Sequence, residues 1–243
     1  MTTLPPVGIE VIGIDGDDTL WHSEGHFHVT EQHFVEILAP WVDARTVSSA
    51  LLDAERRNLA LFGYGVKGFT LSMIETALTL SGHRIDATQV ERILALGKEL
   101  LAHPVELLDG VAETLDELRR DHRLVLITKG DLFHQESKVA ASGVAELFEG
   151  IEIVAEKDPA TYARVLARMG AEPDAFCMVG NSVRSDIAPV LELGGAGVHV
   201  PYHVTWALEH AEVSDSHPRL ARVAAIGEAP AAIAALAVRN GAA

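Results

Sequence analysis

Cysteine is almost absent from this chain of 243 residues, and long apolar runs and basic residues are scarce as well. Because Cys177 is alone, no disulfide can form within the chain, and such a composition is typical of a reducing compartment. No apolar stretch reaches the length of about 20 residues that a membrane-spanning helix needs. The first residues, Met1–Pro6, lack the basic start and apolar stretch of a secretion signal. We therefore expect a cytoplasmic protein with no membrane partner.

The shortage of basic residues gives the chain a strongly negative balance. Its 19 lysines and arginines stand against 35 acidic residues, a formal net charge of −16. Such a field repels nucleic acid, which is therefore not an expected partner. An anionic substrate would need a bound cation or a positive side chain at its own site. Hydrophobic residues make up 48% of the chain, which indicates an ordered globular protein.

Most of the chain alternates between short apolar runs and segments of helical length. Runs of this kind are typical of buried strands in parallel sheets. The five predicted strands are Ile9–Ile14, Leu124–Ile127, Ile151–Val154, Phe176–Val179 and Gly197–Val200. The predicted helices are Ser137–Phe148, Pro159–Met169, Ile187–Leu193 and a closing helix at Pro230–Val238. This alternation predicts an α/β fold with a doubly wound parallel sheet.

The segment between the first two predicted strands is too long for one crossover and has a helical pattern. Apolar residues recur at helical spacing in several stripes, one of which contains Leu71, Ile74 and Leu78. About four helices of this size form a small bundle. We therefore predict an all-helical insert at residues 21–104 and an α/β core made of residues 1–20 and 105–243.

The first predicted strand ends in a cluster of acids, with Asp15, Asp17 and Asp18 followed by Thr19. A buried strand places such side chains in the crevice where open α/β sheets bind ligands. Clustered carboxylates repel each other unless a cation or a proton shares the site. A solvated acidic turn would have the same pattern, but two acids closing a buried strand favour a metal-dependent reaction centre.

Polar residues also follow the later predicted strands. Because the carboxyl ends of parallel strands meet at one edge of the sheet, we expect these residues to converge on Asp15 and Asp17. They are Thr128, Lys129, Lys157, Asn181 and Asp186.

These motifs resemble those of the haloacid dehalogenase superfamily, most of whose members are Mg²⁺-dependent phosphatases. The order D-x-D-x-T, strand-end threonine, lysine and G-x-x-x-x-x-D matches the four motifs of that family across the whole core. The predicted insert resembles the family's helical cap of the first type. The resemblance implies hydrolysis of a phosphomonoester of a small phosphorylated metabolite.

The resemblance also implies a role for each motif residue. Asp15 would attack phosphorus and form an aspartyl-phosphate, and Asp17 would act as general acid and then general base. Thr128 would hold the phosphoryl oxygens, while Lys157 would neutralise charge on the phosphoryl group and on Asp15.

Mg²⁺ is the implied cofactor, because it prefers a few hard oxygen ligands. The candidate ligands are the carboxylates of Asp15 and Asp186 and the backbone carbonyl of Asp17. Relatives commonly have aspartate where this chain has Asn181, whose amide oxygen is a further candidate that brings no charge.

Substrate contacts are expected from Lys67, Lys129 and Arg184. Lys67 lies in the glycine-rich stretch Gly63–Phe69, which is either a specificity loop or a plain connection between helices.

Several alternatives stay open at this point. The dehalogenase branch of the superfamily lacks the second acid of the first motif, so Asp17 favours a phosphatase. A phosphosugar mutase of the same superfamily would have the same motifs. A receiver-like or non-catalytic phosphate-binding protein is the alternative of a different class, although receivers are about half this length and have no insert. The oligomeric state is not indicated.

Overall fold

The computed structural model describes residues 8–214 and 216–240, so the segment Met1–Pro6 lies outside the described residues. It contains a six-stranded sheet, and a group of helices lies in the sequence between the first two strands. The strands are β1 (Val11–Ile14), β2 (Arg123–Lys129), β3 (Gly150–Val154), β4 (Phe176–Gly180), β5 (Ala196–His199) and β6 (Leu220–Arg222). The helices are α1 (Glu24–Leu38), α2 (Ala44–Phe62), α3 (Val66–Leu80), α4 (Ala87–Leu101), α5 (Val111–Leu118), α6 (Leu132–Ala141), α7 (Pro159–Met169), α8 (Ala188–Glu192) and α9 (Ala229–Asn240).

The sheet is parallel throughout the described strands and has the order β3-β2-β1-β4-β5-β6. β1 is central, and Ile14 lies level with Leu126 of β2 and Val179 of β4. The chain adds β2 and β3 on one side of β1. It then crosses back and adds β4, β5 and β6 on the other side. Such a reversal creates a crevice at the carboxyl end of β1, where this class of sheet binds ligands. The predicted doubly wound α/β fold is confirmed.

The sheet is buried by helices because its strands are apolar on both faces. One cluster of buried side chains includes Ile12, Ile14 and Leu126, and another, which contains Val11 and Phe176, lies against α7. The glycine of β1 is part of this packing, because a Cβ at Gly13 would lie 2.5 Å from the ring of Phe176.

Helix α7, which follows the loop that carries Lys157, shows how local sequence sets the boundaries of a helix. Asp158 caps its first turn by accepting a hydrogen bond from the backbone N–H of Thr161 at 2.7 Å. Pro159 occupies the first turn, where its missing N–H costs nothing. Gly170 ends the helix with a left-handed φ of 63°. The loop between β3 and this cap carries Lys157.

Three details of the predicted secondary structure were wrong. The sixth strand has three residues and no apolar run, so periodicity did not reveal it. Helix α6 begins and ends earlier than the predicted Ser137–Phe148 because Gly143, with a φ of 72°, interrupts the helical conformation. In α3 the buried face contains Phe69 and Met73, whereas Leu71 is exposed.

The chain divides into two compact units. One contains the described residues up to His22, Val105–Lys129 and the chain from Lys138 onward, and it includes the whole sheet. The other contains Ser23–Pro104 and Gly130–Ser137, with helices α1–α4 around a core that includes Phe34 and Met73. Gly130–Ser137 was predicted to belong to the α/β core, as part of residues 105–243. None of the helices among the described residues is long and apolar enough to cross a membrane.

The sheet unit is interrupted at a short two-stranded ribbon. Trp21 pairs antiparallel with Leu107, the N–H of His22 donates to Glu106, and the N–H of Leu108 donates to Leu20. The points where the chain leaves this unit and returns to it are therefore adjacent.

Candidate active site

Asp15 and Lys157 form the centre of the candidate site at the carboxyl end of β1. Lys157 reaches from the loop after β3 and places its Nζ 2.5 Å from Asp15 Oδ1 and 2.6 Å from Asp186 Oδ1. All three side chains are buried. Two carboxylates therefore share one ammonium group, and the cluster keeps a net negative charge when all three groups are ionised.

The protonation of Asp15 follows from this arrangement. Burial raises the pKa of Asp15 to about 7, the charge of Lys157 opposes the increase, and the charge of Asp186 adds to it. Burial alone would lower the pKa of Lys157, but its two carboxylate partners raise it above its ordinary value. The lysine is therefore a permanent cation, whereas Asp15 exchanges its proton near neutral pH.

Thr19 connects the first and last motifs. Its Oγ1 donates to Asp15 Oδ2 at 3.0 Å and accepts from the backbone N–H of Asn181 at 3.1 Å. The amide oxygen of Asn181 lies 3.5 Å from the same hydroxyl. No role was predicted for Thr19, although its place in the D-x-D-x-T motif was a signal. It orients the carboxylate of Asp15 and brings an amide oxygen close to it.

The turn after β1 has an unusual backbone that brings Asp17 beside the same strand end. Asp18 adopts a left-handed φ of 63°, which aspartate tolerates better than most residues. A Cβ at Gly16 would lie 2.7 Å from the ring of Trp21 and 3.2 Å from Thr128 Oγ1. Glycine at position 16 therefore lets the turn pass close to the end of β2, where Thr128 is buried.

Asp17 lies in a polar cluster of its own. Its carboxylate accepts hydrogen bonds from the Nζ of Lys138 on α6 and from the indole N–H of Trp21. Lys138 was not among the predicted site residues. It lies 121 positions from Asp17, within a helix whose pattern resembles any amphipathic helix.

A short π-helical turn, Val183–Ile187, follows β4 and fixes Asp186. Asp186 Oδ2 accepts the backbone N–H of Ser182 at 2.9 Å, while Oδ1 contacts Lys157. A Cβ at Gly180 would lie 2.3 Å from Asp186 Oδ2, so only glycine leaves room for the carboxylate. Such π-helical turns are frequent at functional sites.

The loop that carries Asn181 is fixed from the neighbouring strand. His199 Nε2 lies 3.0 Å from the carbonyl oxygen of Asn181, and Arg222 Nη1 lies 2.7 Å from His199 Nδ1. Because arginine can only donate, Nδ1 is the acceptor and Nε2 carries the hydrogen. Burial lowers the pKa of His199, and Arg222 lowers it further, which favours this neutral tautomer.

Lys129 lies at the end of β2, next to Thr128, and is largely buried in an ion-pair network. Its Nζ contacts Glu209 at 2.7 Å, Ser185 Oγ at 2.9 Å and Glu156 at 3.3 Å. Glu209 in turn accepts hydrogen bonds from Ser182 and Ser185 of the π-helical turn. The charge of Lys129 and these donors lower the pKa of Glu209 although burial opposes them. This network supports the turn that carries Asp186.

The other two predicted substrate-binding residues also have partners. Arg184 is exposed and donates to the carbonyl oxygen of Leu208 at 2.5 Å. Lys67 belongs to the helical unit, where it forms an ion pair with Asp131 at 2.9 Å and lies over the ring of Phe133. The structure thus brings together Asp15, Asp17, Thr128, Lys157, Asn181 and Asp186. The predicted roles of all these residues stay predictions.

Comparison with known proteins places the chain in a family. The family model described as haloacid dehalogenase-like hydrolase matches residues 9–194, which include every motif residue above. A haloacid dehalogenase-like family hydrolase from Xanthomonas campestris is 46% identical, with a TM-score of 0.88 over 97% of this chain and 94% of that one. A 2-haloacid dehalogenase from Pseudomonas syringae, at 20% identity and a TM-score of 0.61 over 93% and 98% of the two chains, shares the fold.

The curated relatives match only part of the chain. The mouse N-acylneuraminate-9-phosphatase is 32% identical over 93 residues, which are 36% of this chain and 38% of that protein. This chain thus covers less than half the length of that relative. The family match spans far more of the sequence, together with the parallel sheet. The chain belongs to the haloacid dehalogenase-like hydrolases.

Proposed function

We propose that this hydrolase cleaves phosphomonoesters of small metabolites through an aspartyl-phosphate formed on Asp15. The observation that carries the proposal is the pair of acids at the end of β1, each with its own lysine. Asp15 contacts Lys157 at 2.5 Å, and Asp17 contacts Lys138 at 2.5 Å. The two carboxylates are therefore held separately and can perform different tasks.

In the first half-reaction, a carboxylate oxygen of Asp15 attacks phosphorus and the bond from phosphorus to the ester oxygen breaks. Asp17 gives its proton to that oxygen, so the leaving group departs as an alcohol. Lys157 neutralises negative charge beside the phosphoryl group. The hydroxyl of Thr128 donates a hydrogen bond to a phosphoryl oxygen. The products of this step are the alcohol and an acyl phosphate on Asp15.

In the second half-reaction, water attacks phosphorus and the bond to the Asp15 oxygen breaks. The carboxylate of Asp17 accepts the proton of the attacking water, which restores its protonated form. Inorganic phosphate leaves and the carboxylate of Asp15 is regenerated. Thr19 holds the free oxygen of Asp15 in place through both steps, because its hydroxyl donates to Oδ2.

The donor set of the site fits Mg²⁺. Two buried carboxylates face one ammonium, so the cluster has an unbalanced negative charge that a cation would neutralise. Both oxygens of Asp15 and both of Asp186 accept hydrogen bonds, and each oxygen keeps a lone pair for a cation. The ligands we propose are the carboxylates of Asp15 and Asp186, the backbone carbonyl of Asp17 and the amide oxygen of Asn181. When bound, Mg²⁺ would supply positive charge for the phosphoryl oxygens.

The presence of Asp17 favours a phosphatase over a dehalogenase. A halide leaves without a proton, whereas an alkoxide leaving from phosphorus is a strong base that needs an acid beside it. A general acid therefore assists the cleavage of phosphate esters, whereas the departure of a halide needs none. The name of the mouse relative, N-acylneuraminate-9-phosphatase, supports the assignment as a phosphatase.

The test is a panel of phosphorylated metabolites assayed with Mg²⁺, comparing the wild type with Asp15→Asn. We expect phosphate release that is abolished by the substitution and by EDTA. Release that survives both treatments would overturn the mechanism. Metal-independent chloride release from a 2-haloacid would identify a dehalogenase instead. Turnover of no substrate by a folded protein would indicate a non-catalytic binding protein.

A further inference from the structure

An imidazole and a phenol meet at the carboxyl edge of the sheet and have no task in the proposed reaction steps. His22 Nδ1 lies 2.7 Å from the hydroxyl oxygen of Tyr202, and the two groups share a hydrogen bond. The ring of His203 packs against that of Tyr202, with the centroids 4.1 Å apart. His22 and Tyr202 are both partly buried, and both belong to the sheet unit. The hydrogen bond joins two loops that are 180 positions apart in the sequence.

His22 is held close to Asp17 by the ribbon at which the sheet unit is interrupted. It directly follows Trp21, whose indole N–H donates to Asp17 Oδ1 at 2.6 Å. The backbone N–H of His22 donates to the carbonyl oxygen of Glu106 at 3.1 Å. The backbone of His22 is thus fixed one position from a residue that contacts the carboxylate of Asp17.

Tyr202 is held close to the loop that carries Asn181. The N–H of Val200, two positions before Tyr202, donates to the carbonyl oxygen of Gly180 at 3.0 Å, and Gly180 directly precedes Asn181. Two residues of extended chain span at most about 7 Å. Pro201 lies between Val200 and Tyr202 and restricts the backbone there. The start of this loop is therefore fixed beside the candidate site.

The order of the strands shows where the contact lies relative to the crevice. Strand β4 lies between β1 and β5 in the sheet, so a contact between the loops after β1 and β5 spans the carboxyl end of β4. The chain changes sides of the sheet between β1 and β4, and sheets of this class bind ligands at such a reversal. The hydrogen bond between His22 and Tyr202 therefore lies at the rim of the crevice that contains Asp15.

From this placement we infer that His22 is a specificity-determining residue, which binds a hydroxyl group of the leaving alcohol through Nε2. Tyr202 is the positioning residue that orients the imidazole. The substrates are accordingly phosphate esters of polyols and related polyhydroxylated compounds. The inference rests on the proposed function, because it assigns a contact to the alcohol part of the phosphomonoester.

The hydrogen-bonding capacity of the imidazole selects a hydroxyl group. Within the part of the chain that the structure describes, the bond to Tyr202 is the only hydrogen bond of the His22 ring, and it occupies Nδ1. Nε2 is a donor in one neutral tautomer and an acceptor in the other. A hydroxyl group matches both, because it donates and accepts, whereas a carboxylate matches only the donor. An alkyl group would cover Nε2 and leave it without a partner, which weakens binding.

The experiment compares polyol phosphates with n-alkyl phosphates of the same chain length, in the presence of Mg²⁺. The polyol esters are the phosphates of glycerol, erythritol, ribitol and sorbitol, and the alkyl esters run from propyl to hexyl phosphate. The measured quantity is the polyol preference, which is kcat/KM for the polyol ester divided by kcat/KM for the alkyl ester of the same length. For the wild type we expect a polyol preference of about tenfold or more at one length at least.

Three variants test the assignment. Tyr202→Phe removes a single oxygen atom, and His22→Phe removes both ring nitrogens. Each should lower the polyol preference about fivefold or more, while kcat/KM on the alkyl ester changes less than about twofold. His22→Gln, which places an amide group near the position of Nε2, should keep part of the preference. His210→Phe, at an exposed histidine in the same loop after β5, is the matched control and should leave the preference unchanged.

The double variant of His22→Phe and Tyr202→Phe adds a test of the two roles. Because Tyr202 acts through His22, the double variant should have nearly the same polyol preference as His22→Phe alone. The same esters are used for every variant, so differences in their intrinsic reactivity cancel. Damage to the fold would lower kcat/KM on both esters by the same factor. Urea unfolding identifies a variant with less folded protein, and Tyr202→Phe, the smallest change, then decides.

The outcomes separate this inference from the proposed function. Equal losses on both esters, or a polyol preference that survives His22→Phe, would overturn the specificity role. Equal kcat/KM of the wild type on both series at every length would also overturn it, while the proposal of a phosphatase would stand. A wild type that hydrolyses neither series nor any member of the metabolite panel would contradict the proposed function itself.

Discussion

Replacing Lys157 with methionine would test the electrostatic account of the site. The substitution keeps the length of the side chain and removes the ammonium that contacts Asp15 at 2.5 Å and Asp186 at 2.6 Å. Two carboxylates would then be buried side by side with no cation between them. Removing one partner of a buried ion pair costs about 3–5 kcal/mol, because it leaves a buried charge without compensation. We expect the free energy of unfolding to fall by that amount at pH 8.

The deficit, which is the loss of unfolding free energy caused by Lys157→Met, should depend on pH in a defined direction. Lys157 is the main interaction that lowers the pKa of Asp15, so its removal raises that pKa above its present value of about 7. An unfolded aspartate has a pKa of about 3.9, so the folded variant keeps a proton that the unfolded chain has lost. Its free energy of unfolding therefore falls as pH rises through the interval between these two values. The deficit relative to the wild type should be larger at pH 8 than at pH 6.

Urea denaturation in EDTA, followed by tryptophan fluorescence, measures both effects. Lys157→Met combined with Asp186→Asn is the matched control, because it removes one carboxylate and restores the wild-type net charge of the cluster. This double variant should recover about 1 kcal/mol or more of the loss. A deficit below about 1 kcal/mol at pH 8, or one that shrinks as pH rises, would refute the reasoning.

Three further results are expected. Calorimetry should find Mg²⁺ binding about tenfold tighter at pH 8 than at pH 6, since Asp15 must lose a proton with a pKa of about 7 to become a ligand; equal affinities would contradict this. Gly180→Ala should lower the free energy of unfolding by about 1–3 kcal/mol in urea titrations, because its Cβ would overlap Asp186; an unchanged midpoint would count against the close packing. Glu209→Gln should cost about 1–2 kcal/mol, because it removes a carboxylate paired with the largely buried Lys129; a neutral result would show that this pair contributes nothing.

The strands and the residues that follow them were predictable because both depend on local sequence. Buried parallel strands are continuous apolar runs, and the carboxyl ends of such strands meet at one edge of the sheet. These two rules are sufficient to place Asp15 beside Lys157 although the residues are 142 positions apart. The short strand β6 does not obey the first rule, since only Leu220 within it is buried.

The contacts that refine the site were not predictable in this way. Lys138 lies on a helix, and nothing in a helical pattern indicates which partner a polar side chain will contact. Lys129 was predicted to bind substrate because it follows Thr128. Its partner Glu209 comes from a loop after β5 whose course no local pattern describes. Side-chain partners across loops depend on tertiary packing, which a single sequence does not contain.

The ribbon formed by Trp21 and Leu107 affects how readily the segment inserted between these residues can change in length. The entropic cost of bringing the two ends of a loop together grows only slowly with the length of the loop. Here the ends are hydrogen-bonded to each other within the sheet unit, between Leu20 and Leu108 and between His22 and Glu106. These backbone hydrogen bonds therefore stay the same whether a few residues or a whole helical bundle are inserted at this point. Evolution can exchange the inserted helices while the strand that carries Asp15 remains undisturbed.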